Sequence, residues 1–290
     1  MREIRAGDIR APAVAGLFYP DDPAQLRHEV TELLAEAQPE FSNKNIVAAV
    51  APHAGYTYSG PTAAHVFKTL QACYSPPAAE RFSPIIVVVA PSHREAFPFI
   101  SVFTGQAYRT PLGEIPIARE FAQALVDSDP MIHADWRGHR DEHALEVELP
   151  FLQVISPDFR LVPVVMGDQD WELCRILGEQ LAKISREFSV FILASSDLSH
   201  YHSYGEAVEI DERFIRHLQT FNPEALHQAL KNEECQACGG GPVVAAMLAA
   251  KSLGADTVDI LRYQNSGDVT GDHRAVVGYL AATFGSSVNK

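Results

Sequence analysis

Two kinds of apolar pattern alternate along the chain. One is the short unbroken run: IVAAVA (46–51), PIIVVVA (84–90), FRLVPVVMG (159–167) and SVFILASSD (189–197). Runs of this length, rich in branched residues and without polar alternation, predict strands covered on both faces. The other is the longer stretch with apolar residues three and four apart, which predicts helices. Such stretches are PAQLRHEVTELLAEAQ (23–38), SGPTAAHVFKTLQAC (59–73), AREFAQALVDSD (118–129), HALEVELPFLQVIS (143–156) and WELCRILGEQLAKISRE (171–187). GEAVEIDERFIRHLQT (205–220), PEALHQALKN (223–232) and GPVVAAMLAAKSLGA (241–255) continue the series, the last opening on the Gly-Pro expected of a helix start. FPFISVFTG (97–105) reads as a strand and YRTPLGEIPI (108–117) as a turn-rich connection. TVDILRYQNSG (257–267) and RAVVGYLAATFG (274–285) close the chain as strands.

Strand and helix alternate from end to end without a repeat, a linker or a low-complexity segment. This predicts one α/β domain over residues 1–290, a three-layer sandwich with a mainly parallel central sheet. In such sheets ligands bind beyond the carboxyl ends of the strands.

Composition narrows the class. The 290 residues are 47% hydrophobic, an ordinary globular balance. The net charge of -14 comes from 23 basic and 37 acidic residues, and no Lys/Arg cluster stands ready to neutralise phosphates. Nucleic acid is therefore not an expected partner. No apolar run reaches the ~20 residues that span a bilayer. The first residues, MREIRAGDIRAPAVAG, lack a signal-peptide core, so a cytoplasmic location is expected. Four cysteines (Cys73, Cys174, Cys235, Cys238) are too few to form a disulfide framework in a chain of this length.

The candidate chemistry lies where the apolar runs stop. IVAAVA runs into Pro52-His53, IIVVVA into Pro91-Ser92-His93, and FILA into Ser195-Ser196-Asp197-Leu198-Ser199-His200. If these strands are parallel, His53, His93, Asp197 and His200 emerge on one edge. A single histidine at a strand end is commonly a satisfied polar residue; three such endings point to a shared site. Imidazoles on rigid strand ends suit a metal ion. Candidates for a third ligand are Asp197, His200, His143 and a cysteine of ECQACGGGP (234–242). There Cys238 precedes a helix start, a position expected to depress its pKa.

Rival motifs are incomplete. Cys235-x-x-Cys238 has no second pair for a zinc knuckle and lies too late in the chain for a thioredoxin-like dithiol. His139 and His143 are four apart, but Arg140 stands where the zinc-peptidase motif needs Glu. Ser195 and Ser196 lack the glycine frame of a nucleophile elbow.

The segments AVAGLFYPDDPAQL, APHAGYTYSG, APSHR, YRTPLG, DEHALEVELPFLQ, SSDLSHY and CGGGP occur in order over nearly the whole chain. Together they resemble the Memo family, the mediator-of-cell-motility proteins and their prokaryotic homologues labelled protein B of the AmmeMemoRadiSam system. The resemblance implies a fold similar to class III extradiol dioxygenases, non-haem iron enzymes. It implies His53, His93 and Cys238 as metal ligands, with Asp197 and His200 beside them. By the same resemblance His200 is the acid/base group and His143 lines the cleft; with Asp197, expected to orient or charge-tune His200, these are the catalytic candidates. Fe(II) is the implied metal, with copper or zinc as alternatives. Tyr56 and Tyr58 are expected to wall a substrate cleft. The dioxygenases use two His and a carboxylate, whereas the third position here is a thiol, softer and open to oxidation.

The expected function is an iron-dependent oxidoreductase acting on an unknown small substrate. The alternative is a non-catalytic metal-carrying or peptide-binding protein using the same cleft, in keeping with the signalling and peptide-binding associations of the human relatives. A zinc hydrolase is a third option, since two His, one Cys and a water make a workable catalytic set.

Overall fold

The structure is a computed structural model that describes residues 3–42, 45–73 and 84–287. Its strands are β1 (Ile9–Arg10), β2 (Asn45–Ala51), β3 (Ile85–Pro91), β4 (Ile100–Val102), β5 (Ala107–Thr110), β6 (Gly113–Pro116) and β7 (Ile132–Ala134). The series continues with β8 (Arg160–Met166), β9 (Val190–Ser195), β10 (Asp197–His202), β11 (Thr257–Asn265) and β12 (Val276–Ser286). The four unbroken apolar runs are β2, β3, β8 and β9. They lie side by side in the order β2-β9-β3-β8, all parallel, and their central residues are fully buried.

The sheet as a whole is mixed. β12 runs antiparallel to β2, β11 and β10, and β4 runs antiparallel to β8. Connection length explains the flank. Parallel neighbours need a crossover of a dozen or more residues, while only residues 266–275 separate β11 from β12. Ser196 alone separates β9 from β10, so β10 turns away and pairs with the first half of β12. YRTPLGEIPI folds as the β5–β6 hairpin, which with β1 makes a small second sheet.

Helices cover both faces of the large sheet. Tyr56–Cys73 packs with Pro23–Glu36 and Leu149–Ile155, while Gly240–Ser252 packs with Trp171–Ser185 and Pro223–Lys231. The crossovers β2 to β3 and β8 to β9 run in opposite directions across the sheet, and the right-handed rule for such connections then puts their helices on opposite faces. Helix Tyr56–Cys73 begins before the Gly-Pro pair from which the sequence pattern starts it. Its first turn is closed by Tyr58 N–H and Ser59 N–H on the Gly55 carbonyl, so Pro61 lies inside the helix. Among the described residues no helix is long and apolar enough to cross a membrane.

A buried polar clamp ties the N-terminal segment to the segment that carries Glu142 and His143. Arg10 is 2% exposed. Its guanidinium pairs with Glu146, donates to the His139 carbonyl at 2.7 Å and also reaches the Glu142 carbonyl. Glu146 further accepts from Ala13 N–H (2.7 Å), Val14 N–H (3.1 Å) and the Tyr19 hydroxyl. A buried ion pair is tolerable only when its polar atoms find partners, and here each Arg10 guanidinium nitrogen and both Glu146 oxygens have one. His139 sits in the same cluster, its Nδ1 2.6 Å from the Tyr108 hydroxyl.

This clamp has a pH signature. Burial, and then the Arg10 charge, push His139 down to about 3 from an ordinary 6.5. As pH falls through that window the unfolded chain takes up a proton that the folded chain refuses. The contribution of His139 is complete above pH 6.5, and stability then falls by about 1.4 kcal/mol per pH unit. Urea denaturation across this window should show a shallower acid slope for His139→Asn than for the wild type. Equal slopes would remove His139 from the account.

Candidate metal centre

Strand register builds the site. Ala51 is level with Ser195 and Val89 with Ala194, so the ends of β2, β9 and β3 share one edge. His53 and His93 therefore emerge on either side of β9. Their rings stand edge to face with centroids 5.2 Å apart. Cys238, in the loop before helix Gly240–Ser252, brings its Sγ to 3.2 Å from His53 Nε2. The donor atoms of His53, His93 and Cys238 lie within 4.8 Å of one another.

Each imidazole is held by its other nitrogen. His53 Nδ1 is 2.7 Å from Ser195 Oγ, and His93 Nδ1 is 2.9 Å from Glu142 Oε1. With Nδ1 engaged, Nε2 is the nitrogen left for a metal, and in His53 it faces the thiol, the arrangement found behind metal-ligating histidines. Glu142 also accepts from the backbone N–H groups of His93, His143 (2.9 Å) and Ala144 (3.0 Å). Burial works to raise this carboxyl. The close approach of the His143 and His93 rings, with the backbone N–H bonds, outweighs it and holds Glu142 well below the usual carboxylate range. With its oxygens committed in this way, Glu142 orients His93 rather than acting as a ligand itself.

His143 lies beside these groups as a wall. Its ring stacks on His93 at 4.8 Å and 27°, and Phe18 packs against it at 4.8 Å. Its Nδ1 is 3.1 Å from Glu142 Oε1, but the alignment is too poor for a hydrogen bond.

A fourth strand end, legible in the sequence as VVMGDQD after β8 but not singled out there, fixes Cys238. The Gln169 amide donates to the Cys238 carbonyl at 2.8 Å and accepts from Gly241 N–H at 2.6 Å. The glycines of CGGGP permit this packing. A Cβ on Gly239 would lie 2.2 Å from the Ser195 carbonyl oxygen, and one on Gly241 2.7 Å from Gln169 Cβ. The helix start does not depress the thiol as the sequence suggests. Burial pushes Cys238 up, and the Asp197 charge adds to it. Asp197 N–H does point at the sulfur, at 3.3 Å.

The donor set fits a cation. Bonds of ~2.0–2.1 Å to nitrogen and ~2.3 Å to sulfur put tetrahedral N and S ligands about 3.5 Å apart, near the 3.2 Å between His53 and Cys238. A cation also supplies the charge that a buried thiolate needs. Cys174, Cys235 and Cys238 are free thiols, and the Cys73 side chain lies outside the described structure.

Two sequence expectations change. Asp197 does not orient the His200 ring. Its Oδ1 accepts from His53 N–H at 2.8 Å, and burial raises it to about 7. The His200 ring is held instead by its own strand, with Nδ1–H donating to the Leu198 carbonyl at 2.8 Å. Tyr56 is 2% exposed and donates to the Val147 carbonyl at 2.8 Å, so it belongs to the core and not to a substrate wall. Tyr58 is exposed. A cleft of about 580 Å³ opens beside Cys238 and His200, with Gln169, Gln236, Lys231 and Glu233 among its lining residues.

Gln169→Ala removes both contacts that hold the Cys238 loop. We expect about 10–100-fold weaker metal binding with an unchanged circular dichroism spectrum, measured by competition with a chelating dye. Unaltered affinity would deny Gln169 this role.

The family model described as Memo-like protein matches residues 10–283. A MEMO1 family protein of Methanopyrus kandleri is 36% identical over 285 residues, covering 95% of this chain and 98% of that protein. One from Methanosarcina barkeri is 39% identical over 276 residues, covering 94% and 98%. The crystal structure of an uncharacterized protein from Escherichia coli K12 matches with a TM-score of 0.54 at 16% identity, covering 83% of this chain and 100% of that one, a likeness of fold. With the family model matched over most of its length and relatives this similar from end to end, the chain belongs to the Memo family.

Proposed function

We propose that the protein is a metal-dependent oxidoreductase that holds Fe(II) on His53, His93 and Cys238 and acts on a small organic molecule in the adjoining cleft. One observation carries the reading. Two imidazoles are each fixed through Nδ1 by a buried partner, His53 Nε2 faces the thiol, and the donor atoms of His53, His93 and Cys238 lie within 4.8 Å of one another. Two imidazoles and one anionic donor leave coordination positions open, as in non-haem iron sites. When bound, such an ion supplies one-electron chemistry toward dioxygen and a Lewis-acid position for a substrate oxygen.

The chain's own groups do the rest. His200 donates from Nδ1–H to Leu198, so its Nε2 keeps a lone pair for a substrate proton. Burial lowers its pKa, which favours the neutral base. Gln169, Gln236 and Lys231 offer polar contacts in the cleft. His143 stacks on His93 and Phe18 packs against His143, forming one wall beside the ligands.

The thiol favours a second reading. A soft donor suits Zn or Cu(I), and a carrier needs no turnover. The same protein prepared without oxygen separates the two. Iron at one equivalent, lost in His53→Ala, His93→Ala and Cys238→Ser, is expected. Full iron content in the three variants would refute the site. His200→Gln should keep the metal and lower oxygen consumption across a panel of phenols by about 10²–10⁴-fold. Metal binding with no oxygen consumption in the wild type would favour the carrier.

A further inference from the structure

Ser195 Oγ is fully buried, and three polar atoms surround it: the Ala144 carbonyl oxygen at 2.6 Å, His53 Nδ1 at 2.7 Å and Glu148 Oε1 at 2.9 Å. A hydroxyl has one proton to give and two lone pairs with which to accept. The carbonyl can only accept, so it takes the Ser195 proton. The other two neighbours must then donate. His53 does so from Nδ1–H. Glu148 can do so only as a carboxylic acid. An ionised Glu148 would instead compete with Ala144 for the one proton, and one of these two oxygens would meet the Ser195 lone pairs with no hydrogen between them.

The surroundings of Glu148 agree. The residue is fully buried, and its second oxygen, Oε2, has no hydrogen-bond partner. An ionised carboxylate with one bare oxygen, away from water, is among the costliest buried groups. The groups that face it bring no positive charge: Ser195 from β9, the Asp197 carboxyl from β10 and Tyr56 from the helix beneath. Burial first, and then the Asp197 charge, push its carboxyl well above the ordinary range.

We infer that Glu148 stands in the folded protein as a neutral carboxylic acid donating to Ser195, so that His53 is backed by an uncharged hydroxyl relay while His93 is backed by Glu142 directly. The two imidazoles are then backed by different groups: a carboxylate lies behind His93, whereas the hydroxyl behind His53 accepts from its Nδ1–H. Glu148 is a positioning residue, with a stored proton one hydroxyl away from His53. The use of this difference by a bound ion rests on the metal-centre reading; the proton on Glu148 does not.

Metal-free, full-length protein labelled with 13C at glutamate carboxyls tests the proton directly. Infrared spectra at neutral pH should show the carbonyl stretch of one protonated, buried carboxylic acid, absent in Glu148→Gln. Its absence in the wild type overturns the inference, whether or not the protein binds metal. Folding equilibria give a second readout. A proton kept by the folded chain and released by the unfolded one weakens the wild type as pH rises above the ordinary 4.5. Glu148→Gln, neutral at every pH, should gain on the wild type by about tenfold in the unfolding equilibrium constant per pH unit. A difference that does not change with pH overturns the inference. Should Glu148→Gln fail to fold, the wild-type band and its shift in Ser195→Ala decide.

Discussion

The site depends on how one buried carboxylate is satisfied. Glu142 is 2% exposed, and among the described residues no Lys or Arg side chain pairs with its carboxylate. Four N–H donors hold it: the backbone of His93, His143 and Ala144 and the ring of His93. Those bonds outweigh desolvation and keep the group ionised, and in doing so they fix both the backbone and the ring of His93. The arrangement requires the segment 139–148 to lie at the end of β3, across from the sheet. The Arg10–Glu146 clamp supplies that placement from a segment more than a hundred residues away. A change at the N-terminus therefore reaches the site through backbone position, without any contact to the donor atoms.

The segment EHALEVE uses its three glutamates in three ways. Glu142 is an anion satisfied by N–H groups, Glu146 is paired with a guanidinium, and Glu148 is a carboxyl in contact with a hydroxyl. Each answers the same difficulty, a carboxyl group removed from water. The result is a polar layer behind the candidate ligands that gives each imidazole a buried partner at Nδ1.

Much of this was legible in the chain. Four unbroken apolar runs foretold the parallel core, and His53, His93 and the Ser195–His200 segment mark where it ends. That much follows from periodicity, because a strand buried on both faces announces itself in composition. Cys238 was one of several candidate third ligands, and the resemblance singled it out; its distance along the sequence hides its closeness. Side-chain hydrogen bonding was not legible. No periodicity says that Asp197 would be drawn to the His53 backbone rather than to His200, or that Tyr56 would turn into the core at the first turn of its helix. The depressed thiol expected at a helix start also failed, because burial among Asp197 and the strand ends outweighs the partial charge of the helix terminus. Gln169 carried no signal beyond its place after an apolar strand, the same signal that marked the histidines.

The central claim is that two imidazoles and one thiol hold a single ion. Cobalt(II) is a direct probe, because a cobalt ion bound by thiolate absorbs through sulfur-to-metal charge transfer. Titrating metal-free protein with cobalt(II) under anaerobic conditions should produce that absorption at one equivalent in the wild type, and Cys238→Ser should bind cobalt without it. A wild-type spectrum lacking the thiolate band, or one unchanged in Cys238→Ser, would contradict the account.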